Sequence, residues 1–293
     1  MSFFVKNIDI NDSSKTIKNY LLSKNLSSEK IKYLLNNNCC YVNGMIVSEN
    51  HELKVNDSLC IDTCFFDDLD YSPTECKIDV LYEDEYLLLV NKPSKCIIYD
   101  DIKQDTMANY IAYYYMINNL DYKIRHAHRL DYDTSGCLLY AKDIITHAAL
   151  NKIIEDGSFK RYYLAVVENN LDKKTGKINY SIGKDRHING KMIISKTGKK
   201  ATTNYIVKKD LNGYSVVSLL LETGRTHQIR VHMSAIKHPL VGDSLYGAKT
   251  KFNRVLLHSH KVDFIHPITN KHIVIECPIP KDMIDFINKK SAN

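Results

Sequence analysis

The first part of the chain changes from a helical to a strand-like pattern of apolar and polar residues. Between residues 17 and 35, apolar positions recur at the spacing of a helix face, and Ser27 can cap the second of two helices. Asn43-Gly44 then predicts a two-residue hairpin turn between short strands. These patterns predict a small α/β domain over residues 1–66.

The rest of the chain predicts a larger domain over residues 77–293. The acidic, polar stretch before it contains Pro73, and we interpret residues 67–76 as a linker. Apolar runs of strand length are found at residues 78–82, 86–91, 137–141, 161–168, 216–221, 261–266 and 273–277. Helix patterns follow residue 105 and cover residues 144–154, 229–236 and 280–288.

The composition fits a globular chain with a substantial core. Of 293 residues, 44% are hydrophobic, but no apolar run approaches the roughly 18 residues that a membrane span needs. The first residues lack a signal peptide's order of a charged and then a long apolar segment, so we expect a cytoplasmic protein. The eight cysteines form no paired Cys-x-x-Cys motifs, so we expect reduced thiols and no metal site.

Positive charge is concentrated between residues 184 and 209. This stretch holds eight basic residues against one acidic residue, enough to account for the whole net charge of +6. Lys191, Lys199 and Lys200 belong to it. The stretch is either a solvated hairpin or a phosphate-contacting surface, and the density of charge favours phosphate contacts.

A dense polar turn precedes a predicted buried strand at residues 126–141. The turn ends in Asp133-Thr134-Ser135-Gly136, residue types that favour tight backbone geometry. His, Arg and Asp side chains therefore lie in a loop that a rigid strand holds, and binding or catalytic groups are common in such loops. The local pattern alone is equally compatible with a solvated turn beside a core strand.

Residues 222–232 follow another predicted strand and carry a second polar motif. Arg225, His227, Gln228 and Arg230 lie close together within it. So many hydrogen-bonding groups at the end of a strand favour an anion or nucleotide site over ordinary surface.

Both motifs resemble those of the RluA-type pseudouridine synthases, a family of RNA-modifying isomerases. The matching segments are His128-Arg129-Leu130-Asp131, Thr134-Ser135-Gly136, Ala141-Lys142, Thr223-Gly224-Arg225-Thr226-His227-Gln228-Ile229-Arg230 with His232, and Leu256-Leu257-His258. Residues 161–165 are similar to the family's basic-x-Tyr-x-Ala element. The loop after Asn91-Lys92-Pro93 departs from the family, because Lys95 and Tyr99 stand where a Gly and a His are common. The resemblance implies an α+β fold with a mixed, largely antiparallel sheet and flanking helices.

The resemblance also implies three catalytic residues. Asp131 corresponds to the catalytic carboxylate, Arg230 to its counter-ion and Tyr163 to the tyrosine that stacks on the base. Adjacent strand residues face opposite ways, so a register shifted by one residue would select Tyr162. RNA contacts are expected from His128, Arg129, Thr134, Arg225, His227, Gln228, Leu257, Lys191, Lys199 and Lys200.

The implied reaction converts uridine to pseudouridine in RNA without oxidation and without consuming water, so we expect no cofactor and no metal. An aspartate beside an arginine is ionised at neutral pH and can act as a nucleophile or a base, and a bidentate contact with Arg230 would orient Asp131. A uridine inside folded RNA must be flipped out to be reached, with Arg129 filling its place. We expect a monomer.

The N-terminal order of helix, helix and hairpin resembles the S-four-like RNA-binding domain that many synthases of this family carry. That domain favours ribosomal RNA over transfer RNA as the substrate. Residues 1–66 contain seven lysines and seven acidic residues, a neutral balance that does not by itself predict phosphate binding. A small packing domain is the alternative.

Two other functions compete with the isomerase. A non-catalytic RNA-binding or ribosome-assembly factor could use the same scaffold, although the intact Asp131 and its partners argue against this. A metal-dependent hydrolase could use His126, His128, His227 and His232, but the adjacent Arg129 is a poor neighbour for a cation.

Overall fold

The N-terminal unit is a four-stranded antiparallel sheet packed against two helices. The computed structural model describes residues 3–66 and 71–291. The sheet has the order β1-β4-β2-β3. Its elements are β1 (Phe3–Asn7), α1 (Ile17–Ser23), α2 (Ser28–Asn36), β2 (Cys40–Val42), β3 (Met45–Ile46) and β4 (Ser58–Asp62).

Local signals explain the start of each helix and the hairpin. The Thr16 and Ser27 side chains accept hydrogen bonds from backbone N–H groups of the first turns of α1 and α2, which satisfies donors that a helix start leaves free. Asn43 and Gly44 both have positive φ angles, 50° and 80°, as the tight hairpin turn requires. The predicted helices and hairpin are therefore confirmed.

The second and larger unit is built around a ten-stranded sheet. Its elements are β5 (Asp79–Glu83), β6 (Leu87–Lys92), α3 (Met107–Ile117), β7 (Arg125–His126), β8 (Ser135–Ala141), α4 (Ile144–Glu155), β9 (Lys160–Glu168), β10 (Thr175–Asn179), β11 (Ile182–Lys184), β12 (Met192–Ile194), β13 (Thr202–Leu211), β14 (Tyr214–Leu221), α5 (Gln228–Ala235), β15 (Leu257–Ile265), β16 (His272–Glu276) and α6 (Lys281–Ser291). Strands β11 and β12 form a separate hairpin in the basic stretch.

The large sheet has the order β10-β13-β14-β9-β15-β8-β6-β5, with β7 and β16 at its sides. The β8–β15 pair is parallel, and the other pairs are antiparallel, which confirms the predicted mixed, largely antiparallel α+β fold. Gly136 in β8 has a φ of 110°, and a Cβ atom there would lie 2.2 Å from the Ser259 carbonyl oxygen. Glycine is therefore required where β8 and β15 meet.

The two units share one apolar core. Phe4 and Tyr20 of the N-terminal unit pack with Tyr86 beside β6, and the Tyr86 hydroxyl donates to the Val5 carbonyl at 2.8 Å. The Lys6 ammonium donates to the Ile268 carbonyl at 2.9 Å. These contacts fix the N-terminal sheet against the large sheet.

A buried ionic cluster lies at this junction. Asp12 is 2% exposed and accepts hydrogen bonds from Lys6, Lys15 and Lys24. Burial opposes ionisation of the carboxyl group, but the Lys15 and Lys6 ammonium groups outweigh it and lower the pKa of Asp12 to about 2. Lys24 also donates to the Pro267 carbonyl, so the cluster bridges the two units.

Six of the ten residues of the predicted linker lie in the described part of the chain. Residues 67–70 lie outside the described part of the chain, whereas residues 71–76 run beside α3. The Ser72 carbonyl accepts from the Asn109 amide at 2.9 Å. Within residues 3–66 and 71–291, the helices are all too short or too polar to cross a membrane.

Candidate active site

The two polar motifs face each other across a cleft with a volume of ≈ 860 Å³. The cleft lies between the loop before β8, the loop between β14 and α5, and the first residues of β9 and β15. The Asp131 Oδ2 atom is 3.7 Å from Arg230 Nη1 and 4.0 Å from His227 Nε2. The expected meeting of the Asp131 and Arg230 motifs therefore occurs.

The loop that carries Asp131 is held from below by a buried lysine. The Lys92 ammonium, which is 0% exposed, donates to the carbonyls of Thr134 at 2.8 Å and Tyr132 at 3.3 Å. The Thr134 N–H donates to the Asp131 carbonyl at 3.1 Å and closes the turn. Burial lowers the pKa of Lys92 to about 8. The sequence did not indicate this function of Lys92, because it depends on loop carbonyls about forty residues away.

Arg230 makes its bidentate contact with a different carboxylate from the one expected. Its Nε and Nη2 atoms donate to Asp243 at 2.7 and 2.8 Å, whereas Asp131 receives only the longer approach of Nη1. The predicted bidentate pairing with Asp131 is wrong. Burial disfavours the charged guanidinium, but the hydrogen bonds and charge of Asp243 outweigh it and raise the pKa of Arg230. Asp243 therefore keeps Arg230 charged and aimed at Asp131.

Tyr246 links His227 to the basic hairpin. Its hydroxyl accepts from the Met192 N–H and lies at hydrogen-bond distance, 2.9 Å, from His227 Nδ1. Burial lowers the pKa of His227, with Asp131 opposing the shift, so the ring is neutral at neutral pH. His227 has a left-handed φ of 54°, a conformation that a non-glycine residue adopts at a cost.

The two candidate tyrosines of β9 lie on opposite faces of the strand. Tyr163 is 5% exposed and lines the cleft, and burial raises the pKa of its phenol. Tyr162 is only partly buried and lies outside the cleft, with the Lys261 ammonium 5.6 Å from its ring centroid. The geometry therefore favours Tyr163 as the residue that contacts a base.

Comparison with known proteins agrees with this geometry. The family described as RNA pseudouridylate synthase matches residues 86–235, which include Asp131, Tyr163 and Arg230. The chain is 42% identical over 247 residues to "Uncharacterized RNA pseudouridine synthase YhcT" of Bacillus subtilis, covering 83% of this chain and 82% of that protein. The chain belongs to the RluA-type RNA pseudouridine synthases.

Further relatives of this synthase include proteins named for a ribosomal substrate. "Ribosomal large subunit pseudouridine synthase D" of Yersinia pestis is 30% identical over 285 residues, covering 91% of this chain and 87% of that protein. The solved structure "Human RNA Pseudouridylate Synthase Domain Containing 1" is 26% identical and has a TM-score of 0.59, covering 69% of this chain and 83% of that chain. The isomerase class predicted from the sequence is confirmed.

Gln228 and Thr134 hold the loops of the synthase together. The Gln228 amide, 2% exposed, accepts from the Thr223 hydroxyl and the Arg225 N–H and donates to the Thr202 carbonyl and the Thr203 hydroxyl. All its polar groups are therefore used within the protein, where they support the loop, and its contact with RNA stays a prediction. Thr134 is likewise 2% exposed, and its backbone binds Lys92 and Asp131.

The other residues expected to contact RNA differ in whether they lie at the rim or in the wall of the cleft. Arg129 is exposed at the rim, 5.6 Å from the Tyr99 ring centroid, and Tyr99 stacks on His126 at 4.8 Å. Arg225 is also exposed at the rim, and Leu257 is buried in the cleft wall.

The three lysines of the basic stretch lie outside the cleft. Lys199 and Lys200 are exposed, and the Lys191 ammonium is 6.0 Å from the Tyr246 ring centroid. Their contacts with RNA stay a prediction.

The histidines considered for a metal site make different contacts within the protein. His232 is fully buried and bonded to the Thr203 hydroxyl and the Tyr180 carbonyl, while His126 stacks on Tyr99. Among residues 3–66 and 71–291, no group of three or more His, Cys, Asp or Glu side chains is placed to hold a metal ion.

Proposed function

We propose that this synthase isomerises uridines of large-subunit ribosomal RNA, with Asp131 as the catalytic carboxylate. The observation that carries the proposal is the convergence of Asp131, Arg230 and Tyr163 in one cleft. The ribosomal substrate is supported by the names of relatives that match most of the chain.

The chemistry breaks two bonds and forms two. The bond between ribose carbon 1′ and uracil nitrogen 1 breaks, the base rotates, and carbon 5 bonds to carbon 1′; carbon 5 then loses its proton and nitrogen 1 gains one. Asp131 acts either as a nucleophile at carbon 1′ or as a base at carbon 2′. Either function needs an oriented carboxylate, and the Arg230 Nη1 atom lies 3.7 Å from Asp131 Oδ2. No oxidant, reductant or water is consumed, so the proposed reaction needs no cofactor.

Tyr163 stacks on the uracil while the base rotates. Its ring lies in the wall of the cleft beside Leu257, an apolar neighbour suited to a base face. Burial raises the pKa of the phenol, so the ring is uncharged at neutral pH. In this proposal its hydroxyl also assists removal of the carbon 5 proton.

The target uridine enters the cleft by flipping out of the RNA. Extrusion costs a few kcal/mol and is cheapest for unpaired bases. Arg129, exposed at the rim, fills the position that the base leaves, and Arg225 and the lysines of the basic stretch contact flanking phosphates.

Residues 1–66 act as an RNA-binding domain of S-four-like type fixed to the catalytic domain of residues 77–293. The helix, helix and hairpin order supports the type. The shared core and the cluster at Asp12 support a fixed orientation, so RNA bound at both domains would be held at a set distance.

The proposal is tested by tritium release from RNA labelled at uracil carbon 5. Unmodified ribosomal and transfer RNA are compared, each with wild type and with Asp131→Asn. Release by wild type from ribosomal RNA alone supports the proposal. Binding without release from either RNA supports a non-catalytic binding factor, and release by Asp131→Asn shows that another carboxylate is catalytic.

A further inference from the structure

Arg161 is a buried cation without a counter-ion. It lies in β9 two residues before Tyr163, so both side chains point from the same face of the strand into the cleft. It is 6% exposed, and its Nε atom has no hydrogen-bond partner. Among the described residues, none forms a hydrogen bond or ion pair with its guanidinium. Arginine is rarely buried unless it is paired, because removing a charge from water is costly.

A second buried polar group lies beside it. His128 is 7% exposed and lines the same cleft, and no side chain of the described residues forms a hydrogen bond with its ring nitrogens. Burial and, after it, the charge of Arg161 lower the pKa of His128 to about 3. The ring is therefore neutral and offers one N–H donor without adding a second positive charge.

The loop between β14 and α5 is shaped to lie on the guanidinium. A Cβ atom on Gly224 would be 3.0 Å from Arg161 Nη1 and 3.2 Å from Nη2, which is tighter than ordinary contact. The Nη1 and Nη2 atoms of Arg161 therefore lie directly against this loop. A preorganised cation of this kind matches a planar or tetrahedral oxyanion.

We propose that Arg161 and the neutral His128 form a buried subsite for an RNA phosphate next to the flipped uridine. This inference rests on the proposed function, since it takes the base to lie on Tyr163. The anionic groups of an RNA substrate are its phosphodiesters, and a phosphate would supply the counter-charge that Arg161 lacks. The Arg161 and Tyr163 side chains are separated by two residues of strand, about 7 Å, which suits a phosphate and the base of one nucleotide.

The test measures binding of a short single-stranded oligouridylate between about 50 and 200 mM KCl. Arg161→Gln should bind about 10- to 100-fold more weakly, as expected for loss of charged hydrogen bonds. The slope of log K against log salt should fall by about 0.7, the value for one phosphate contact on a single strand. Arg161→Lys keeps the charge and should keep the slope.

Lys160→Gln is the matched control, because Lys160 is the exposed neighbour in β9 and faces away from the cleft. It should leave the slope unchanged. An equal loss of slope in Lys160→Gln would show that net charge alone is responsible and would overturn the subsite. If Arg161→Gln leaves the slope of log K against log salt unchanged but slows turnover on saturating RNA, Arg161 contacts the uracil and not a phosphate. That result would also overturn the subsite.

Thermal melting separates binding from a structural function. Replacing an unpaired buried charge removes a desolvation cost, so Arg161→Met should melt at the same temperature as wild type or higher. A clear fall in melting temperature would mean that Arg161 supports the fold. Tritium release is measured in parallel, so failure of wild type to release tritium would refute the proposed function independently of the salt slopes.

Discussion

Asp243 provides a specific test of how the active site is oriented. It is 1% exposed and makes two hydrogen bonds, at 2.7 and 2.8 Å, to the guanidinium that faces Asp131. Asp243→Asn preserves the shape of the side chain but removes its charge and one of its two acceptors. Arg230 then keeps one bond to position 243, and its freed nitrogen can turn toward Asp131.

The expected magnitudes follow from this geometry. A hydrogen bond to a charged group contributes about 1.5–3 kcal/mol, so losing one of two should lower the free energy of unfolding by about 2 kcal/mol. A displacement of a catalytic group by about 1 Å can reduce turnover roughly 100-fold, and we expect a fall of that order in kcat for Asp243→Asn. The affinity for RNA should change much less, because neither Asp131 nor Asp243 belongs to the basic stretch that we expect to contact phosphates.

Tritium release and urea unfolding measure the two effects. Asp282→Asn is the matched control, since Asp282 makes the same bidentate contact with Arg254, at 2.6 and 2.9 Å, outside the cleft. It should lose some stability and no activity. Full activity of Asp243→Asn would refute the claim that Asp243 orients Arg230, and an equal loss in Asp282→Asn would attribute the effect to stability.

Three further predictions concern the fold and the base contact. Gly136→Ala should prevent folding or lower the melting temperature sharply, because its Cβ would lie 2.2 Å from the Ser259 carbonyl; normal melting would contradict this packing. Tyr163→Leu should release tritium about 10- to 100-fold more slowly because stacking on the base is lost, while Tyr162→Leu should release it at nearly the wild-type rate. A larger loss in Tyr162→Leu than in Tyr163→Leu would identify Tyr162 as the residue that contacts the base. Asp12→Asn should lose about 2 kcal/mol of stability at neutral pH, since the folded-state pKa is depressed to about 2. That stabilisation is present above about pH 4 and is lost as the pH falls toward 2. The free energies of unfolding of wild type and Asp12→Asn, measured in urea, should therefore become more similar as the pH falls toward 2.

Strong local patterns carried most of the fold prediction. The helices after Thr16 and Ser27 and the Asn43-Gly44 turn are specified by neighbouring residues, and the structure has them where the sequence indicates. Strand β1 was not predicted, because its buried and exposed positions alternate although both faces carry apolar residues, including Phe3 at 40% exposure. The alternation of apolar and polar residues that predicts a half-buried strand is therefore absent from the sequence of this segment.

From the sequence, candidate site residues could be named only where a chemically suitable side chain lies within a recognisable motif. Asp131, Tyr163 and Arg230 could be named from the sequence because they lie within recognisable motifs. The partner of Arg230 could not be named, since Asp243 and Asp131 are both carboxylates and only the three-dimensional arrangement shows which one Arg230 binds. Arg161 shows the same limit, because its lack of a counter-ion is a property of the folded cleft.

Nucleoside analysis of an unmodified large-subunit ribosomal RNA transcript, after incubation with the protein, tests whether Asp131 catalyses pseudouridine formation in that RNA. The RNA is digested and uridine and pseudouridine are separated, for wild type and for Asp131→Asn. We expect pseudouridine with wild type and none with Asp131→Asn, which should still bind the RNA. Pseudouridine formed by Asp131→Asn would show that Asp131 is not the catalytic carboxylate, and none formed by wild type while it binds the transcript would show that this RNA is not its substrate.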